Sequence, residues 1–132
     1  MPKMSSKLLL DLTSGTGVGY DAQCNERESR YLILGIRLEC TAAFTGALDT
    51  LVGADPVLTD ATILPTIATA PTTVGTLPAG VAFTGSQLVF TAVAAGTYDI
   101  TLRISDPPPI VVPKLASQSG GGTWRLRVKA VY

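Results

Sequence analysis

Apolar and polar residues alternate with a period of two over several stretches of the chain, which predicts strands buried on one face and wet on the other. In "YLILGIRLECTA", Leu32, Leu34, Ile36, Leu38 and Cys40 share one parity, and Gly35, Arg37, Glu39 and Thr41 share the other. "TYDITLRIS" puts Tyr98, Ile100, Leu102 and Ile104 on one face, against Asp99, Thr101, Arg103 and Ser105. "TWRLRVKAVY" turns Trp124, Leu126, Val128, Ala130 and Tyr132 inward and Arg125, Arg127 and Lys129 outward. "KLLLDL" predicts a short first strand with Leu8, Leu10 and Leu12 on one face. "VAFTG" predicts a short strand that ends in a turn, and "QLVFTAV" the next strand, with Leu88 and Phe90 on one face.

Between these segments the pattern fades. "TSGTGVGYD" reads as a loop because of its glycines, and "AQCNERESR" as a helical turn or loop. From Phe44 to Thr76 the period is unclear, and "GALDTLVG" fits a helical turn or a strand. Pro56, Pro65 and Pro71 argue against a long helix there and confine strands to sheet edges. "DPPPIVVPKLASQSGGG" predicts a long connection, stiff at its triple proline and hinged at its triple glycine. Short strands, frequent turns and no helical period predict an all-β sandwich or barrel. The 132 residues fit one domain, with an N-terminal arm over 1–7 and a Pro/Gly-rich connection over 106–122.

Composition sharpens this picture. Lys and Arg total 10 and balance 10 Asp and Glu, so there is no global pull toward nucleic acid or an anionic membrane. Only 15% of residues are charged and 46% are hydrophobic, which favours a chain that lives packed against something. Charge is unevenly placed: no Lys or Arg occurs between Cys40 and Tyr98, while Arg125, Arg127 and Lys129 crowd the C-terminus. Leu8, Leu9 and Leu10 are too short a run for a secretory signal, and Asp11 interrupts it. No stretch approaches the roughly 20 apolar residues of a membrane span. The expectation is a chain made in a cytosol, with Cys24 and Cys40 as reduced thiols rather than a bridge.

Candidate chemistry is sparse. The chain has no histidine, which removes Ser-His-Asp and Cys-His triads and the commonest metal ligand. Two cysteines cannot form a four-cysteine zinc site, and no pair among the carboxylates is singled out by spacing. "SGTGVGYDA" follows an apolar strand as a phosphate loop would, but what comes after it lacks the apolar period of a crossover helix. Arg125, Arg127 and Lys129 with Trp124 and Tyr132 are the best nucleic-acid candidate, yet strand parity turns those aromatics away from the basic side chains. The sequence therefore predicts no catalytic, cofactor-binding or metal-binding residue, no cofactor, and no enzyme.

Within "LPAGVAFTGSQLVFTAVAAGTYDITLRISD", Leu77, Pro78, Gly80, Val81 and Phe83 form one motif, and Gly96, Thr97, Tyr98 and Asp106 a second. This stretch, Leu77–Asp106, resembles the bacterial and phage family of immunoglobulin-like modules. The resemblance implies an immunoglobulin-like β-sandwich, with the Tyr98 hydroxyl sent back to nearby backbone and its ring in the core. It implies a structural protein of a bacteriophage particle, made in the host cytoplasm and residing in the virion. A capsid decoration (cement) protein is the first expectation, with the major capsid or tail protein, or further copies of the chain, as partners. A tail-tube or fibre component is second. A carbohydrate- or cell-surface-binding module is the alternative, with Tyr20 and Tyr31 as its available aromatics. Met1–Lys7 and Asp106–Gly122 are the expected contacting segments.

Overall fold

The computed structural model describes residues 6–15, 31–50, 72–84, 87–105 and 113–131. These carry nine strands: β1 (Ser6–Thr13), β2 (Tyr31–Cys40), β3 (Phe44–Asp49), β4 (Thr72–Val74), β5 (Val81–Thr84), β6 (Gln87–Val93), β7 (Gly96–Ser105), β8 (Lys114–Gly120) and β9 (Trp124–Val131). They form two antiparallel sheets, ordered β1-β9-β2-β7-β4 and β5-β6-β3-β8. The β-sandwich expected from the alternation is present.

The three best-patterned segments make the centre of the larger sheet. β2 pairs with β7 from Tyr31 opposite Ser105 to Cys40 opposite Gly96, and its other edge pairs with β9. Leu34, Leu38, Leu102, Ile104, Leu126 and Val128 are fully buried on the inner face. Phe44, Leu48, Leu88, Phe90 and Leu115 close the core from the smaller sheet. Phe44 joins the layers: its ring meets Phe90 edge-on at 5.6 Å and Trp124 of the opposite sheet at 5.4 Å. Such pairs add about 0.5–1.5 kcal/mol each beyond the area they bury.

Four expectations need correction. In β1, Leu8 points outward at 49% exposure while Leu9 and Leu10 are both fully buried. The register slips between Leu8 and Leu10, and a bulge of this kind reverses side-chain parity. Ser6 and Lys7, assigned to the arm, belong to β1 and pair with Val131 and Ala130. The 106–122 connection contains β8, which pairs with β3 along its length. Leu115 is fully buried, whereas Ala116, Ser117, Ser119 and Gly120 are exposed; backbone pairing holds this strand, so its side chains carry no apolar period. The triple glycine is a fixed crossover and not a hinge. Gly120, Gly121 and Gly122 take φ of 65°, 87° and 60°. The Gly121 N–H donates to the Ala43 carbonyl at 2.7 Å, and Thr41 and Ala42 N–H groups donate to the Gly121 carbonyl at 3.1 and 3.3 Å.

An immunoglobulin sandwich places its last two strands side by side in one sheet. Here β8 and β9 lie in opposite sheets, joined by this glycine crossover, and β2 sits between β7 and β9. "GALDTLVG" resolves as strand through Asp49. Residues 1–5, 16–30, 51–71, 85–86, 106–112 and Tyr132 lie outside the described residues, and with them Tyr20, Cys24, most of the phosphate-loop candidate and the triple proline.

Tyr98 behaves as its position in the motif implies. Its ring packs at the core margin and its hydroxyl donates to the Ala94 carbonyl at 2.7 Å. Tyr98→Phe keeps the ring and removes this bond, so chemical denaturation should show a loss of about 0.5–1.5 kcal/mol. An unchanged midpoint would mean that water replaces the bond at no cost.

Candidate functional site

The two outer faces of the sandwich differ in chemistry. On the five-stranded sheet, one row runs Asp11, Arg127, Arg37, Asp99 across β1, β9, β2 and β7. The next row holds Thr13, Arg125, Glu39 and Thr97. Arg127 and Arg37 stand directly opposite one another, an unfavourable placement for like charges. Three ion pairs relieve it. Arg37 grips Asp99 with two hydrogen bonds, at 2.9 and 3.2 Å. Arg127 reaches diagonally to Glu39 at 2.9 Å, and Arg125 reaches diagonally to Asp11 at 3.0 and 2.9 Å. The pairs are solvent-exposed, so they orient side chains more than they stabilise the fold.

These contacts set the titration of the face. The Arg125 hydrogen bond holds the Asp11 carboxyl below the usual carboxylate range, and Arg37 does the same for Asp99. Both guanidinium groups are raised in turn. A carboxyl with a lowered folded-state pKa contributes stability above its unfolded value, near 4, and loses it as pH falls through the folded value. The melting temperature should therefore fall as pH drops below about 4. The Asp11→Asn/Asp99→Asn double variant should show a shallower fall, and about 1 M salt should shrink the difference between the two proteins. Identical slopes for variant and parent would show that the pairs do not persist in solution.

Two shallow depressions mark this sheet. One opens over Gly35, which presents no side chain between Arg37, Thr101, Arg127 and Lys129. The other lies at the strand ends, where Thr13, Ser14, Thr41, Thr97 and Thr123 surround Glu39 and Arg125. Trp124 and Cys40 lie beneath it and are buried. The Cys40 thiol donates to the Ala94 carbonyl at 3.5 Å. Among the described residues, no group of His, Cys, Asp and Glu is placed to hold a metal ion, and every buried side-chain N or O atom has a hydrogen-bond partner. Asp11, Glu39 and Asp99 are each engaged by an arginine. Arg125 and Lys129 point out while Trp124 points in, which puts aromatic and basic groups of β9 on opposite faces.

The four-stranded sheet has a different outer face. Its middle row is Ser117, Ala47, Val89 and Ala82. Asp49 and Lys114 stand opposite each other at one end, and Gln87 donates to Asp49 at 2.9 Å. β3, β5 and β6 all derive from the span without Lys or Arg, so the charge gap in the sequence becomes a charge-poor face in the fold. Of this face only the β8 edge falls in a predicted contacting segment, 106–122, and β3, β5 and β6 do not. The signal for it was the charge gap, which acquires a spatial meaning only once the strand order is known.

Of the predicted contacting segments, the described parts lie in β1, β8 and the glycine crossover. Tyr31 opens β2, and its side chain lies outside the described residues. In comparison with known proteins, the chain matches no family model, no curated protein and no solved structure.

Proposed function

We propose that this chain is a non-enzymatic attachment protein of a bacteriophage particle, acting as a capsid decoration protein through many modest, repeated contacts. The observation that carries this reading is the contrast between a closed core and its two exposed sheet faces. The depressions in the five-stranded face are shallow and open. Weak contacts of this kind sum when many copies engage one lattice.

The phage context is supported by the motif resemblance. Leu77 and Phe83 pack on the core, the Val81 N–H donates to the Pro78 carbonyl at 3.1 Å, and Tyr98 makes its backbone contact. The strand order departs from that of an immunoglobulin sandwich, since the chain changes sheet at every step except β1–β2 and β5–β6.

One observation favours a second reading, a carbohydrate-binding module: the ring of hydroxyl side chains around Glu39 and Arg125. Burial of Trp124 removes the stacking plane such a site wants. The discriminating experiment adds purified chain to undecorated phage shells and measures the temperature at which they rupture, with a glycan array run in parallel. A higher rupture temperature and a blank array are expected. Array binding with no effect on the shells would replace the first reading with the second.

A further inference from the structure

We infer that the outer face of the four-stranded sheet is the surface that seats on the particle, against a flat and uncharged protein surface presented as an array. This rests on the attachment reading above and specifies which side of the sandwich makes the contact. Interface centres are depleted of charged residues relative to the rest of a protein surface. The five-stranded sheet fails that criterion, since seating it would desolvate the ion pairs of Asp11, Glu39 and Asp99. The other sheet meets it. Ala47 and Val89 at its centre carry no charge, and Asp49 and Lys114, opposite one another in register, lie at its margin.

Size decides between an array and a second copy of the chain. Four strands about 4.8 Å apart, each contributing about six residues at ~3.4 Å, span roughly 400 Å². A stable pairwise interface buries about 800 Å² of accessible surface per partner, more than so small a footprint supplies. Two free copies therefore stay apart, while a lattice that presents many equivalent seats holds them.

The test uses shells assembled from the encoding genome with this gene deleted, and four versions of the full chain: parent, Ser117→Lys, Ala82→Lys and Thr97→Lys. The three substituted positions are exposed, the first two on the seating face and the third on the opposite sheet. Parent and Thr97→Lys should co-sediment with shells, and the two face variants should bind about tenfold or more weakly, a factor equivalent to ~1.4 kcal/mol. All four should sediment as monomers when alone. Undiminished binding by both face variants would overturn the assignment of the face. A parent dimer that Ser117→Lys dissolves would make a second copy the occupant instead. Failure of the parent itself to bind would remove the attachment reading, and this inference with it.

Discussion

Replacing Leu102 with aspartate is expected to abolish the folded state. Leu102 is fully buried in the middle of β7, with Leu34 opposite on one side and Thr73 on the other. The change forfeits roughly 1.5–3 kcal/mol of apolar burial. It also places a carboxylate in a core where the described residues provide no cation to receive it. Burial of an unpaired charge costs several kcal/mol more, and typical domains hold only about 5–15 kcal/mol in total. Circular dichroism should show no cooperative melt for Leu102→Asp. Leu102→Ala should still melt cooperatively, with a loss of about 2–5 kcal/mol. Thr97→Asp, exposed on the same strand, should shift stability by about 0.5 kcal/mol or less. A Leu102→Asp protein that melts near the parent temperature would put Leu102 on the surface and dissolve the inner face of β7.

Gly121→Ala should be strongly destabilising, because the new methyl meets two core rings. Gly121 has a φ of 87°, and a Cβ there would sit 2.8 Å from Phe44 Cδ2 and 3.0 Å from Trp124 Cδ1. The left-handed backbone alone costs an alanine roughly 1–2 kcal/mol. Displacing two packed rings adds about 1–3 kcal/mol. The sum, about 2–5 kcal/mol, should appear as a lower denaturation midpoint. Trp124 fluorescence should shift as well, because the ring beside the new methyl must move. A variant with parental stability and an unmoved emission maximum would restore the hinge reading of 120–122.

How much of this was legible follows from what holds each element. β2, β7 and β9 were readable because one face of each is fully buried, which forces alternation on the sequence. The first strand was found but its face was misread, because a bulge at Leu8–Leu10 costs nothing in composition and leaves no mark in the pattern. β8 was read as part of a connection because it contributes little more than Leu115 to the core and otherwise borrows its order from the backbone of β3. The glycines were seen, yet composition cannot separate a run that must bend freely from one whose Cβ positions are already occupied. Strand order was beyond reach, since Ile36 can report that it is buried but not that Ile100 and Val128 flank it. Of the candidate site, the shared face of Arg37 and Glu39 follows from the alternation, while the diagonal reach of Arg125 to Asp11 depends on register.

The position of β2 between β7 and β9 underlies the charged face, and NMR tests it directly. Cross-strand nuclear Overhauser contacts should connect the backbone of Ile36 to Ile100 on one side and to Val128 on the other, with slow amide exchange along all three strands. Direct backbone contacts between β7 and β9, as in a sandwich whose late strands are neighbours, would contradict the strand order and every surface assignment built on it.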